Sequence, residues 1–158
     1  MQVFHDCKSP DICVTTARLR ISLAAPSAAI AIGELIDDPQ VRSTLKVPSA
    51  AGSNRTRGGT DESSEYAVYR DSSDIVIGAI WLCEGRISYF IAPHHWGCGL
   101  GGEALSGFCK SSPVRTWKLD AVVMRSNIAS RRILEGAGFQ FCGLIGGPAN
   151  LLQYCRSP

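Results

Sequence analysis

The chain has 158 residues, 45% apolar and 19% charged, and sixteen Lys and Arg against fourteen Asp and Glu leave a formal charge of +2. This length suits one globular domain spanning residues 1–158, and so small a surplus excludes the multiple phosphate contacts that nucleic-acid binding needs. The longest apolar run, residues 24–36, is broken by Pro26, Gly33 and Glu34 and falls short of the roughly 18 apolar residues of a membrane helix. Residues 1–6 lack the basic-then-apolar order of a secretory signal. A cytoplasmic protein with no membrane partner is expected. The seven cysteines are odd in number and form no C-x-x-C pair, and the three histidines complete no zinc spacing. A disulfide framework and a metal site are therefore not expected, and most of the thiols read as small buried hydrophobes.

Residues 18–23 alternate Leu19, Ile21 and Leu23 with Arg18, Arg20 and Ser22, the period-two pattern of a strand with one wet face. Beyond Pro26, the residues Ala28, Ile32, Leu35 and Ile36 share one helical face, predicting a first helix. Asp38-Pro39 reads as an N-cap followed by proline in the first turn, with Val41 and Leu45 extending a short second helix before Pro48. Residues 49–65 are rich in Gly, Ser, Thr, Asn and Arg and predict a flexible loop that covers one side of the molecule as a lid. The β-rich runs 66–69, 75–83 and 86–92, joined by residues 70–74 and by Glu84-Gly85, predict an antiparallel meander.

A glycine-dense stretch follows: Gly97, Gly99, Gly101 and Gly102. It runs into the helical repeat Leu100, Ala104, Leu105 and Phe108. Residues 116–124 read as a mostly buried strand. Residues 127–135 read as a short helix ended by Gly136-Ala137-Gly138, and residues 139–144 and 151–155 as two closing strands. The class is α+β, with one mixed sheet and helices on its faces.

Closely spaced glycines before a helix let backbone N–H groups converge where the helix dipole is positive, which suits a phosphate or pyrophosphate. A plain connecting turn is the alternative, because such matches are common. Gly97, Gly99 and Gly102 also satisfy G-x-G-x-x-G, with Asp120 roughly 20 residues further on, as in dinucleotide-binding sites. The antiparallel meander before the loop argues against that reading, and no Lys followed by Ser or Thr supports a Walker A loop.

Residues 89–105, with Gly99-Leu100-Gly101 at their centre, resemble the acyl-CoA-binding segment of the GCN5-related N-acetyltransferase (GNAT) superfamily, whose pattern is R/Q-x-x-G-x-G/A. Trp96 stands where Arg or Gln is usual. The Trp-Gly opening, the following Glu103-Ala104-Leu105, and a second block from Asn127 and Ser130 to Gly138-Phe139 resemble the RimJ/RimL-type branch. Residues 16–20 resemble that branch's first strand.

The resemblance implies a single domain around a central, strongly twisted mixed sheet of about six to seven strands flanked by helices. It implies acetyl transfer from acetyl-CoA to a primary amine, by direct attack in a ternary complex, the acceptor being a protein N-terminus, an amino acid or an amine-bearing small molecule. Phe90, Ile91 and Ala92 would bond the pantetheine arm through backbone groups. Trp96, Gly97, Cys98, Gly99, Leu100, Gly101 and Gly102 would form the pyrophosphate cradle, with Leu100 also fitting the core by its place in the apolar stripe. Asn127 would contact the cofactor while capping its helix, and Arg131 would reach a CoA phosphate.

Many relatives carry a tyrosine seven residues after the asparagine, where this chain has Leu134, as is common in the RimJ/RimL-type branch; that branch's serine implies Ser130 as the candidate acid for the departing thiolate. Glu84 is the candidate base, with Glu103, His94 and His95 as other titratable choices and deprotonation by water, with no dedicated residue, as the alternative. The competing function is a non-catalytic acyl-CoA-binding or sensing module. Exposed sheet edges in such folds also suit pairing into a homodimer.

Overall fold

Alternation of Leu19 and Ile21 with Arg20 and Ser22 does produce a strand with one buried face in the computed structural model, which describes residues 11–45, 63–71, 73–146 and 150–158. The elements are β1 (Val14–Thr15), β2 (Leu19–Leu23), α1 (Pro26–Ile36), α2 (Pro39–Thr44), β3 (Ser63–Arg70), β4 (Val76–Cys83), β5 (Arg86–Ile91), α3 (Leu100–Lys110), β6 (Leu119–Met124), α4 (Ile128–Gly136), β7 (Gln140–Gly146) and β8 (Leu151–Arg156). Two 3₁₀ turns, Pro93–His95 and Val114–Thr116, lead into α3 and β6. The sheet has eight strands in the order β1-β2-β3-β4-β5-β6-β8-β7. The count exceeds the expectation because β1 is too short to show a periodicity.

All pairings are antiparallel except β5 with β6. The connection between those two strands crosses over through α3, as parallel neighbours require. Period-two alternation divides the buried side chains between two faces. Tyr66 and Val68 of β3 join Leu105 and Phe108 of α3 and Leu134 of α4 on one side. Ala67 and Tyr69 of the same strand join Ile32 of α1 and Val41 of α2 on the other. The meander, both early helices and the closing strands lie where the sequence places them.

Three expectations need correction. Ser63, Ser64 and Glu65 are not loop but the start of β3, with Ser64 only 6% exposed; its register opposite β4 outweighs the loop-like composition, and the rest of the expected lid lies outside the described residues. Among the described thiols only Cys109 is buried, while Cys13 and Cys98 are exposed, because the latter two sit outside any apolar stripe. Cys142 and Cys155 form a disulfide across the β7–β8 ladder with Cα atoms 6.0 Å apart, a single link that strand pairing brings together. No helix among the described residues is long and apolar enough to cross a membrane.

Candidate active site

The parallel pair β5–β6 begins at one end and stops. Asp120 N donates to Gly85 O at 2.9 Å, Arg86 pairs with Asp120, their side chains form an ion pair at 2.8 Å, and no further residue pair joins the strands. On the opposite edge of β5, Ala92 N donates to Ile77 O at 2.7 Å. Since N–H and C=O directions alternate along an antiparallel strand, Phe90 and Ala92 spend their backbone groups on β4, and those of Tyr89 and Ile91 face the opening toward β6. Of the three residues expected to bond an extended ligand, Ile91 alone presents its backbone there. Its carbonyl accepts the Trp96 indole N–H at 2.6 Å, which gives Trp96 a capping role that the sequence did not reveal.

The glycine loop lies at the mouth of this opening, directly after the turn that follows β5. Gly99 is the N-cap of α3 in the left-handed conformation, φ 76°, which a side chain would strain. The first intrahelical bond runs from Glu103 N to Gly99 O, so the amides of Leu100, Gly101 and Gly102 precede any intrahelical acceptor and remain available to an anion. Leu100 is 1% exposed; its side chain belongs to the core and only its amide to the loop. Cys98, Gly97 and Gly102 line the exposed or half-buried rim.

A carboxylate in the first turn, Glu103, would repel an anion if it faced the loop. It is turned to the corner between β1 and β2. Oε1 accepts from Thr16 Oγ1 at 2.6 Å and from Arg18 N at 2.9 Å, and Oε2 from Arg18 Nε at 2.7 Å. Arg18 also donates from Nη1 to Cys98 O at 3.0 Å, tying the loop to β2. Burial pushes the Glu103 carboxyl up, but the hydrogen bonds from Thr16 and Arg18 and the guanidinium charge outweigh it and hold the group below its ordinary range. Glu103 is thus a fixed anion within an ion pair and a poor base.

Across the opening, Asn127 caps α4, its Oδ1 accepting from Ser130 N at 3.1 Å. The Ser130 hydroxyl lies 2.8 Å from Tyr89 Oη, and Tyr89 Oη lies 3.2 Å from the Ser130 carbonyl. Burial pushes the Tyr89 phenol up to about 12, against a smaller opposite effect of the Ser130 hydrogen bond. Leu134, at the position where many relatives carry tyrosine, is 1% exposed and fills the core. Arg131 is engaged by its own side of α4, Nε donating to Tyr154 Oη at 3.3 Å and Nη1 to Arg125 O at 3.2 Å.

The fold therefore brings Ile91, Trp96, the glycine loop, Asn127 and Ser130 around one opening. It does not bring Glu84 there. Glu84 is exposed, with φ 48°, in the turn that starts β5, five residues and about 16 Å of strand from Tyr89. His94 is exposed and His95 half-buried in the 3₁₀ turn before the loop. Asp120 sits at the closed end of β5–β6 in its ion pair with Arg86, remote from the glycines, which removes the dinucleotide reading. Tyr89 and Arg18 were missed as site residues. Alternation with Ile87 and Ile91 does place Tyr89 on the α4 face, yet its partner is 41 residues away. Among the described residues no group of three His, Cys, Asp or Glu side chains converges on a common point.

A mixed sheet that parts between two parallel strands, with a glycine-lined helix N-terminus at the mouth, defines an acyl-CoA-dependent transferase fold. Residues 18–140 match the family model described as an acetyltransferase (GNAT) domain, and the chain belongs to that family. Acetyl-CoA is accordingly its cofactor and acetyl transfer its class of reaction. Solved structures of similar fold include an acetyltransferase from Agrobacterium tumefaciens str. C58, with a TM-score of 0.70 at 15% identity over 93% of this chain and 95% of that one. RimL, the ribosomal L7/L12 alpha-N-protein acetyltransferase in complex with coenzyme A, superposes with a TM-score of 0.71 at 15% identity over 92% of this chain and 98% of that one. AAC(6')-Ib, in complex with paromomycin and acetyl-CoA, gives 0.67 at 15% identity over 88% and 93%. No curated protein matches the chain.

Proposed function

We propose that this protein transfers the acetyl group of acetyl-CoA to a primary amine, by direct attack within a ternary complex, in the manner of the RimJ/RimL-type branch. The observation that carries the reading is the parting of β5 and β6 beyond Arg86 and Asp120, with the amides of Leu100 to Gly102 at its mouth. The opening fits the cofactor: Tyr89 and Ile91 offer backbone groups to an extended, amide-bearing arm as a missing strand would, and the loop offers amides to a pyrophosphate. RimL is an alpha-N-protein acetyltransferase of ribosomal L7/L12, and AAC(6')-Ib is seen in complex with paromomycin and acetyl-CoA. Both support an amine acceptor, whether a protein N-terminus, an amino acid or an amine-bearing small molecule.

Acetyl-CoA supplies an acetyl group already activated as a thioester. The protein's part is to hold and orient. The Leu100, Gly101 and Gly102 amides and the α3 dipole would bind the diphosphate, Asn127 and Ile91 would position the arm, and the Ile91 N–H would be available to charge developing on the acyl oxygen. Ser130 Oγ–H is assigned as donor to the departing sulfur. The new C–N bond replaces the C–S bond, and the proton given up by the amine nitrogen balances the thiol released. We assign no proton-transfer role to Glu84, and deprotonation of the amine is left to water. The place of action assigned on sequence grounds is the cytoplasm. The outer strand β7, with Phe141 56% and Leu144 67% exposed, supports pairing into a homodimer.

The test is calorimetry with acetyl-CoA, CoA and NADH side by side, followed by release of CoA thiol against a panel of primary amines. Binding of both CoA species without NADH, and turnover with an amine, is the expected result. Binding without turnover on any amine would favour the non-catalytic module, and no binding would overturn the reading.

A further inference from the structure

Ser130 is the third residue of α4, in its first turn, where a serine commonly serves as a capping or surface residue. Here Oγ instead meets the phenol of Tyr89 at 2.8 Å. Tyr89 projects from β5 on the same face as Ile87 and Ile91, which are buried in the α3–α4 core, so the sheet fixes where its oxygen stands. We propose that Tyr89 is the positioning residue of Ser130, holding its Oγ so that the serine proton is presented to the sulfur leaving the thioester. This inference rests on the acetyl-CoA reading above.

A phenol has one proton to give and can also accept, and two arrangements share the observed distances. In the first, Tyr89 donates to the Ser130 carbonyl, 3.2 Å away, and Ser130 donates to Tyr89, so the serine proton is spent. In the second, Tyr89 donates to Ser130 Oγ and the serine proton is free. Rotation of the phenolic O–H about its C–O bond, together with rotation of the serine hydroxyl, exchanges them. A thiolate beside Oγ selects the second, because a hydrogen bond to an ion is the stronger one. The pair stabilises that charge without protonating it. Burial keeps the phenol protonated up to about 12, and handing its proton to a thiol of ordinary pKa about 8.5 would be unfavourable by more than about a thousandfold.

The probe is CoA itself, titrated while bound and followed by the ultraviolet absorbance of its thiolate, which needs no knowledge of the acceptor. In the native protein the bound thiol is expected to ionise about one pKa unit below free CoA, the effect of a single hydrogen bond to the charged form. Ser130→Ala and Tyr89→Phe should each lose most of that shift, and the double variant should lose no more than either alone. CoA affinity should stay within about twofold in Tyr89→Phe, which keeps the ring. Ser130→Thr, which retains a hydroxyl, should retain the shift.

A full shift in Tyr89→Phe, or additive losses in the double variant, would overturn the role of Tyr89 while leaving the cofactor reading intact. A full shift in Ser130→Ala, or its loss in Ser130→Thr, would overturn the pairing in the same way. Absence of CoA binding to the native protein would overturn the cofactor reading and the role of Tyr89 with it.

Discussion

Arg18 and Glu103, 85 residues apart, are joined through side chain and main chain at once: Nε and Nη2 of the arginine both reach Oε2 at 2.7 Å, and its backbone N–H reaches Oε1 at 2.9 Å. A further guanidinium N–H holds the Cys98 carbonyl. One side chain just before β2 thus fixes both the glycine loop and the first turn of α3, and turns the only acidic group of that turn away from where an anion would bind.

Arg18→Gln should therefore weaken acetyl-CoA binding by about tenfold, the worth of one charge-assisted hydrogen bond that keeps the loop preorganised. Its effect on stability should be smaller, about 1 kcal/mol, because Arg18 is 43% exposed and solvent screens the pair. Calorimetry and urea denaturation read the two effects separately. A large stability loss with unchanged affinity would make the pair purely structural.

The same carboxyl predicts an acid dependence. Its folded pKa lies below the ordinary 4.5, so its contribution to stability is fully present above that value and is lost as pH falls through the folded pKa. The urea midpoint of the native protein minus that of Glu103→Gln should be constant near neutrality and shrink on acidification below pH 4.5. A difference that does not vary with pH would contradict the assignment.

Gly99, at φ 76°, should not tolerate a side chain with its present backbone. Gly99→Val is expected to cost about 1–2 kcal/mol of local strain and to weaken acetyl-CoA binding by tenfold or more, by about the same free energy. Unchanged affinity would sink the pyrophosphate assignment.

Ser130→Ala should lower turnover by about tenfold to a hundredfold while leaving cofactor affinity nearly unchanged, the pattern of an interaction made during reaction and absent on binding. Steady-state kinetics with an amine found in the screen, together with calorimetry, decides. Unchanged turnover would remove Ser130 from the mechanism.

Gly78 gives a packing prediction. A Cβ there would collide with Phe90 O on the neighbouring strand, so Gly78→Ala must push β4 and β5 apart. A loss of about 1–3 kcal/mol is expected, read as a lower thermal midpoint. Because Phe90 belongs to β5, the strand that lines the opening, weaker acetyl-CoA binding should accompany it.

Much of this molecule follows from local pattern. The alternation of Leu19 and Ile21 with charged neighbours, the spacing of Ala28 and Ile32, the Asp38-Pro39 start of α2, and the glycines before Leu100 each act through neighbours within a turn or a strand. Elements, their order and the family resemblance were therefore legible in the chain. So was the place of the Leu100 side chain in the core. The two-residue strand β1 was not, since two residues have no period.

Which distant groups meet is settled by the tertiary structure alone. The Tyr89–Ser130 pair spans 41 residues and the Arg18–Glu103 pair 85. The orientation of Phe90 and Ala92 toward β4, the end of the β5–β6 ladder after Arg86, and the exclusion of Glu84 from the site depend on strand register. A side chain's local sequence sets its preference for a face. Register and packing, summed over the whole sheet, set what that face meets, and at this site the candidate chemistry lies in those meetings.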